Sequence, residues 1–330
     1  MSTAAVRRVG IVGVGFYVPE KVLTNADLEK MVDTTDEWIR SRSGIQERRI
    51  AEKGVGTSDL SAKAAQMAME KAGVKPEEID LLIVATTTPD MPLPSAACFV
   101  QEKIGAKNAA AFDLAAACAG FVYAMVTAEQ FIKSGTYKTV LVIGADLISS
   151  YIDWTDRSTC VLFGDGAGAV VMREVSSGGI LSSVLGSDGH YAELLKICAG
   201  GSRLPASDET LKSKGHFLKM NGSEVFKLAV RGMADSVIKA LSKAGVRKED
   251  VACFIPHQAN QRIIDAVSDR LDFPKEKIFI NLQKYGNTSS ASCAIALYEA
   301  LKEGKIKKKD KVVLTTFGSG LVWGAMVLEW

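Results

Sequence analysis

The sequence predicts an α/β protein made of two similar halves, and two observations carry that prediction. A block of residues recurs. Lys71-Ala72-Gly73-Val74, the charged turn Lys75-Pro76-Glu77-Glu78-Ile79-Asp80 and the apolar run at 81–85 reappear as Lys243-Ala244-Gly245-Val246, Arg247-Lys248-Glu249-Asp250 and the apolar run at 251–255. The offset is 172, the difference between 243 and 71. Solenoid periods run only to about 50 residues, so a duplicated domain is the better account. Secondly, short apolar runs alternate along the chain with stretches of helical pattern, as buried strands between helices require.

The elements follow in order. In the first half, apolar runs predict strands at 9–14, 81–86, 111–115, 139–145 and 167–173, and helical patterns predict helices at 25–31, 58–72 and 121–133. Ser176-Ser177-Gly178-Gly179 punctuates the chain and divides residues 1–177 from 178–330. The stretch 191–215 is polar and poorly periodic, and reads as a long loop, a lid or an interface element. In the second half, helices are expected at 223–243, 261–271 and 289–303, and strands at 251–256, 278–281, 312–317 and 324–329. Each half runs the same course. Phe112-Asp113-Leu114 leads to Cys118, a helix through Ile132, the turn Ser134-Gly135-Thr136 and a strand at 140–143. Phe279-Ile280-Asn281 leads to Asn287, a helix through Leu301, the turn Glu303-Gly304-Lys305 and a strand at 312–314. The offset carries Cys118 to position 290, three residues past Asn287. Halves packed about a pseudo-two-fold axis would bring these two residues to one site.

Composition narrows the function classes. At 330 residues and 47% hydrophobic content there is room for one large or two medium domains with a substantial core. No apolar run reaches the roughly 18 residues of a membrane span. The start, Met1-Ser2-Thr3-Ala4-Ala5-Val6-Arg7-Arg8, lacks the apolar core of a signal peptide, so a cytoplasmic location is expected. A formal charge of +2 carries no nucleic-acid signature, and Lys305, Lys307, Lys308, Lys309 and Lys311 read as the solvated end of a helix and its turn. Cys98, Cys118, Cys160, Cys198, Cys253 and Cys293 are too far apart in sequence for a CxxC pair, and no metal cluster is expected. Only His190, His216 and His257 offer imidazole chemistry.

Three residues stand out. Cys118 lies in Leu114-Ala115-Ala116-Ala117-Cys118-Ala119-Gly120, where a strand gives way to a helix. The partial positive charge of a helix N-terminus favours the nucleophilic thiolate, and the small neighbours let a substrate approach. Spacing alone leaves a buried core cysteine equally open. His257 follows Phe254-Ile255-Pro256 at a strand end, where sites form in α/β folds, though a structural histidine fits there too. Asn287, in Tyr285-Gly286-Asn287-Thr288-Ser289-Ser290, would alone be a turn or helix-cap residue. Their combination carries the argument, since cysteine with histidine is a recognised activated pairing. Other motifs fail. Gly13-Val14-Gly15-Phe16-Tyr17-Val18 has valine where a dinucleotide fingerprint needs its third glycine. Gly164-Asp165-Gly166-Ala167-Gly168 reads as tight backbone packing, and Gly318-Ser319-Gly320 is not a nucleophile elbow.

These residues resemble a known family nearly end to end, β-ketoacyl-acyl-carrier-protein synthase III, the initiating condensing enzyme of type II fatty-acid synthesis. The resemblance rests on Thr35-Asp36-Glu37-Trp38-Ile39 with Arg42-Ser43-Gly44-Ile45, Ala115-Ala116-Ala117-Cys118-Ala119-Gly120-Phe121, Phe163-Gly164-Asp165-Gly166-Ala167-Gly168, His257-Gln258-Ala259-Asn260 and Tyr285-Gly286-Asn287-Thr288-Ser289. It implies a thiolase-like fold of two α/β halves layered α-β-α-β-α, and a homodimer. It implies a Cys118–His257–Asn287 triad that takes an acyl group from acyl-CoA and condenses it with malonyl-acyl-carrier protein, with no cofactor. The backbone N–H groups of Cys118 and Ser319 would form the oxyanion hole, although family members often carry glycine at the Ser319 position. Trp38 and Arg157 match positions flanking the CoA adenine, Arg42 a phosphate contact, and Gly222, Phe226, Ala259 and Asn260 the pantetheine tunnel. Lys227 and Arg262 match carrier-protein contacts. Leu93 matches a residue that reaches across the dimer and limits the partner's acyl pocket; where some members have phenylalanine, leucine leaves room for longer or branched primers. The stretch 191–215 is longer than in compact members. A relative in secondary metabolism and, from another class, a non-catalytic acyl-CoA-binding subunit are the alternatives.

Overall fold

The computed structural model describes residues 7–330. The stretch read above as lacking a signal-peptide core lies, in its residues 1–6, outside the described residues. Nine strands form two main sheets. The first holds β1 (Val9–Tyr17), β2 (Leu81–Ala85), β3 (Ala110–Leu114), β4 (Thr139–Asp146) and β5 (Gly166–Glu174), in the order β1-β5-β4-β2-β3. The second holds β6 (Gly179–Ser187), β7 (Val251–Pro256), β8 (Lys311–Gly318) and β9 (Val322–Glu329), in the order β6-β9-β8-β7 read from the opposite edge. Pairings agree as well. β2 runs parallel to β4, and β5 antiparallel to both β4 and β1. β7 runs parallel to β8, and β9 antiparallel to both β8 and β6.

Seven helices of at least eight residues complete the scaffold among the described residues: α1 (Asp36–Ser43), α2 (Thr57–Ala72), α3 (Ala96–Ile104), α4 (Gly120–Ser134), α5 (Gly222–Ala244), α6 (Gln261–Leu271) and α7 (Ser292–Lys302). Side-chain alternation along each strand decides the layering. Leu82 and Val84 turn to one face, against Leu60, Ala64 and Ala68 of α2 and Val100 of α3. Leu81 and Ile83 turn to the other, where Phe121, Met125 and Ile132 of α4 and Ala294, Leu297 and Ala300 of α7 form a layer shared with Ile255, Val312 and Leu314 of the second sheet. Phe254 and Val313 face outward again, against Met233 and Val237 of α5 and Ile264 and Val267 of α6. The order is therefore helices, sheet, helices, sheet, helices. Strands buried on both faces read as continuous apolar runs, as 81–85 does.

The sequence repeat is realised residue by residue through the centre. An offset of 172 carries the 3₁₀ turn Ala117–Ala119 onto Ser289–Ala291, the start of α4 onto the start of α7, and β4 onto β8 at both ends. The expected strand at 278–281 is a correction. Only a single parallel bridge forms there, between Ile278 and Phe254, because the Gln258 side chain takes the Asn281 N–H at 2.9 Å. The expected helix at 25–31 is confined to Asn25–Leu28, and 289–303 divides into a 3₁₀ turn and α7. Strand β6 was not expected; it follows Gly178, opens on Gly179 and is a half-exposed edge strand. The loop at 191–215 contains a short strand, Leu195–Ile197, paired with Leu218–Met220, and a short helix, Asp208–Lys212. Lys214 Nζ ties its end to Asp153 at 2.9 Å, across to the first half. Among the described residues no helix is long and apolar enough to cross a membrane.

Glycines permit close packing of the inner helices. A Cβ on Gly168 would lie 3.1 Å from the Ala294 carbonyl carbon and closer still to the Ala294 Cβ. Gly168→Ala is expected to push α7 off β5 and lower the unfolding free energy by about 1–3 kcal/mol, the usual cost of overpacking. Urea titration checks this, and an unchanged midpoint would contradict it.

Candidate active site

Cys118, His257 and Asn287 come from three separate segments. Cys118 sits in the turn before α4, where Ala117 holds a left-handed backbone with φ 44°. Its counterpart in the repeat, Ser289, has φ 52°. The two turns pack together, and Cys118 Sγ lies 3.4 Å from Ser289 Oγ. His257 follows β7, and its backbone N–H donates to Thr315 on β8 at 2.7 Å. Asn287 is fixed through its backbone, donating to the Leu162 carbonyl at 2.8 Å and accepting from Gly164 N–H at 3.1 Å. Its side-chain Oδ1 accepts from Ser289 N–H at 2.9 Å, which leaves the Nδ2 hydrogens available to the cavity that Asn287 lines.

All three residues line one cavity of about 580 Å³. Gly222, Phe226, Ala259 and Asn260 line it too, as do Arg42, Lys227 and Arg262. Arg262 lies 5.8 Å from the Phe226 ring centre, and exposed Lys227 pairs with Glu224 at 2.8 Å. Trp38 stands beside this cavity, with Arg42 6.0 Å and Arg157 4.8 Å from its ring. Arg157 also donates to the Asp33 carbonyl at 2.8 Å. A second cavity, about 360 Å³, meets the first at Cys118 and is lined by Ile148, Phe163, Leu195, Ile197, Leu218 and Ser319 among others. Gly318 is what lets the Ser319 segment approach; a Cβ there would be 2.7 Å from the Cys118 nitrogen. The Ser319 hydroxyl donates to the Leu195 carbonyl and so straps that segment to the strand at Leu195–Ile197. Leu93 is brought to neither cavity in this chain and is 83% exposed.

Burial works against the thiolate that the sequence leads one to expect. Burial pushes the Cys118 thiol up to about 12; the Ser289 hydroxyl lowers it and the Asp146 carboxylate raises it further, both to a smaller extent. Burial likewise pulls His257 down from 6.5 to about 4, so its ring is neutral. The helix N-terminus that adjoins Cys118 favours the thiolate, and desolvation of a charged sulfur opposes it. Sequence reasoning also missed Asp146, Ser289 and Ser292. Asp146 accepts from Thr86, Thr87, Thr88 and Ser290, the last hydroxyl at 2.8 Å, and anchors the second turn to the first sheet. Ser292 contacts His257 Nδ1 at 2.6 Å. The repeat offset was a signal for Ser289, since it maps Ala117 there. Among the described residues no three His, Cys, Asp or Glu side chains form a metal-binding group.

A raised pKa keeps the thiol protonated at neutral pH. Alkylation of Cys118 by iodoacetamide should therefore rise steadily from about pH 7 to 10, in proportion to the small thiolate fraction. Peptide mass spectrometry checks this, and a plateau below about pH 8 would contradict it by revealing a preformed thiolate.

Comparison with known proteins agrees with this geometry. Residues 112–189 match the family model 3-Oxoacyl-[acyl-carrier-protein (ACP)] synthase III, and 241–330 match the model of its C-terminal part. The beta-ketoacyl-[acyl-carrier-protein] synthase III of Symbiobacterium thermophilum is 56% identical over 326 residues, covering 98% of this chain and 99% of that one. The protein of the same name from Caldanaerobacter subterraneus is 55% identical, covering 97% of each. The crystal structure of 3-oxoacyl-[acyl-carrier-protein] synthase III from Aquifex aeolicus superposes with a TM-score of 0.90 at 50% identity, over 98% of this chain and all of that one. The fold is thiolase-like, and the chain belongs to the 3-oxoacyl-[acyl-carrier-protein] synthase III family.

Proposed function

We propose that this chain loads an acyl group from acyl-CoA onto Cys118 and condenses it with malonyl-acyl-carrier protein, giving 3-oxoacyl-acyl-carrier protein and initiating fatty-acid synthesis. The observation that carries the reading is the meeting of two cavities at Cys118, with His257 and Asn287 on the wall of the larger one. The larger cavity suits a pantetheine arm and the smaller one an acyl chain. In the first half-reaction the Cys118 sulfur attacks the thioester carbonyl. The C–S bond to CoA breaks, and the thiol proton ends on the departing CoA sulfur. The Cys118 and Ser319 N–H groups hold the transient oxyanion. In the second, the bond from the malonyl methylene to its carboxylate breaks and carbon dioxide leaves. The electron pair becomes an enolate, whose oxygen accepts hydrogen bonds from His257 Nε2 and Asn287 Nδ2. The enolate carbon then attacks the acyl-cysteine, a C–C bond forms, and Cys118 leaves as thiolate and regains a proton from solvent.

The remaining assignments belong to the same proposal. Trp38 and Arg157 hold the adenine, for which they must part, since they now stack on each other. Arg42 takes a phosphate, and Gly222, Phe226, Ala259 and Asn260 guide pantetheine. Lys227 and Arg262 stand at the larger cavity, where an acidic carrier protein would dock. In a homodimer the exposed Leu93 would reach the partner's acyl pocket. Residues 1–177 and 178–330 are the two duplicated units, a division supported by their matching strand orders. The protein works without a cofactor, in the cytoplasm, where acyl-CoA and carrier protein meet.

Intact-protein mass spectrometry after incubation with acyl-CoAs from acetyl to medium-chain and branched tests the first half. One acyl mass should add to the protein and none to Cys118→Ala; no adduct with any donor would refute acyl-CoA priming. Asn287→Ala should still acylate but condense about 10²–10³-fold more slowly, the usual loss for a transition-state donor. Equal loss of both half-reactions would contradict its assignment to the enolate step.

A further inference from the structure

The His257 ring is buried, and its one hydrogen bond among the described residues joins Nδ1 to the Ser292 hydroxyl at 2.6 Å. Ser292 opens α7 and is itself only 2% exposed. Two proton arrangements fit this contact. If Nδ1–H donated, the serine hydrogen would need another acceptor. The other polar contact of its side chain among the described residues is with the Cys293 thiol, a weak acceptor that is itself turned to the Thr315 carbonyl at 3.8 Å. If the hydroxyl donates to Nδ1, both buried groups are satisfied at once, which burial strongly favours. The ring's other nitrogen, Nε2, then carries the hydrogen. His257 lines the larger cavity, and with Nδ1 held against α7 it is Nε2 that is presented there.

We propose that Ser292 is a positioning residue that donates its hydroxyl hydrogen to His257 Nδ1, locks the ring as the Nε2–H tautomer, and so fixes the donor used on the enolate. The use on the enolate rests on the function proposed above; the proton assignment does not. A neutral imidazole carries one N–H, so its tautomer decides whether the cavity meets a donor or an acceptor. An acceptor would repel the developing enolate oxygen. The lock also explains how a histidine can act as a donor without being protonated: burial keeps it neutral, and Ser292 directs its single hydrogen. The contact joins the end of a strand to the start of an inner helix 35 residues later.

The test uses ¹⁵N-histidine NMR on the full-length protein, with His257→Asn to assign the ring among the three histidines, alongside steady-state condensation assays. Wild type should show neutral Nε2–H, and Ser292→Ala should shift the population toward Nδ1–H. In Ser292→Ala, kcat for condensation should fall about 10- to 100-fold, below the full loss of a donor because the unlocked ring still samples the right tautomer. KM for malonyl-acyl-carrier protein should change little. Ser292→Thr keeps the hydroxyl and should restore both tautomer and kcat. An Nδ1–H ring in wild type would overturn the proposal, as would Ser292→Ala with an unchanged tautomer and rate. Should Ser292→Ala not fold, the wild-type spectrum and Ser292→Thr decide. A wild type that shows Nε2–H but condenses nothing would support the proton assignment and refute the function on which its use depends.

Discussion

Everything in the site depends on two left-handed turns pressed against each other between the sheets. Ala117 and Ser289 both hold positive φ without being glycine. Such a backbone costs about 1–2 kcal/mol per residue and persists only where its surroundings impose it. The surroundings are visible. Asp146 gathers Thr86, Thr87 and Thr88 from the end of β2 together with Ser290 from the second turn. Gly144 and Gly318, on the ends of corresponding strands, let the turns come close; a Cβ on Gly144 would sit 3.0 Å from the Ser290 carbonyl carbon. Duplication thus supplies more than symmetry. It places Cys118, the proposed nucleophile, on one turn and Ser289, whose N–H holds the Asn287 Oδ1, on the other.

The same burial sets the chemistry. Cys118 and His257 are both held in their neutral forms, and Asn287 does not titrate. On the proposed mechanism the three side chains that meet the substrate therefore offer dipoles rather than charges. Where side chains are as buried as His257 and Asn287, such dipoles act more strongly than in water and need little reorganisation. The cationic side chains on the wall of the larger cavity are Arg42, Lys227 and Arg262, while the buried Asp146 carboxylate is taken up by Thr86, Thr87, Thr88 and Ser290 behind the turns. That division suits anionic substrates which must be attracted from solution and then react as neutral thioesters inside.

Much of this was legible in the sequence. The repeat gave the correct register through the centre, because nothing is inserted between the corresponding turns, helices and strands from 117 to 146 and from 289 to 318. It loses register at β5 and β9, where the intervening loops differ in length. Cys118, His257 and Asn287 stood out through the repeat, the pairing of cysteine with histidine and the family motifs, and the structure brings all three to one cavity. Depth was not legible. A helix N-terminus can be read from residue order, but how much water a thiol keeps cannot, and that loss of water works against the expected thiolate. Ser292 was hidden for a related reason: a serine at a helix start has many ordinary explanations, and its contact with His257 exists only once strand and helix are packed. Helices α1 and α3 escaped because eight or nine residues give too few turns for periodicity to show.

On the proposed mechanism a neutral His257, not an imidazolium, stabilises the enolate. The most direct measurement is the pH dependence of carbon dioxide release from malonyl-acyl-carrier protein by pre-acylated enzyme in a single turnover. The rate should be flat from about pH 5.5 to 8, because no group in the donor set changes its proton there. A rate that falls through a single ionisation near pH 6.5 as pH rises would show that the protonated ring is the donor, and would contradict it.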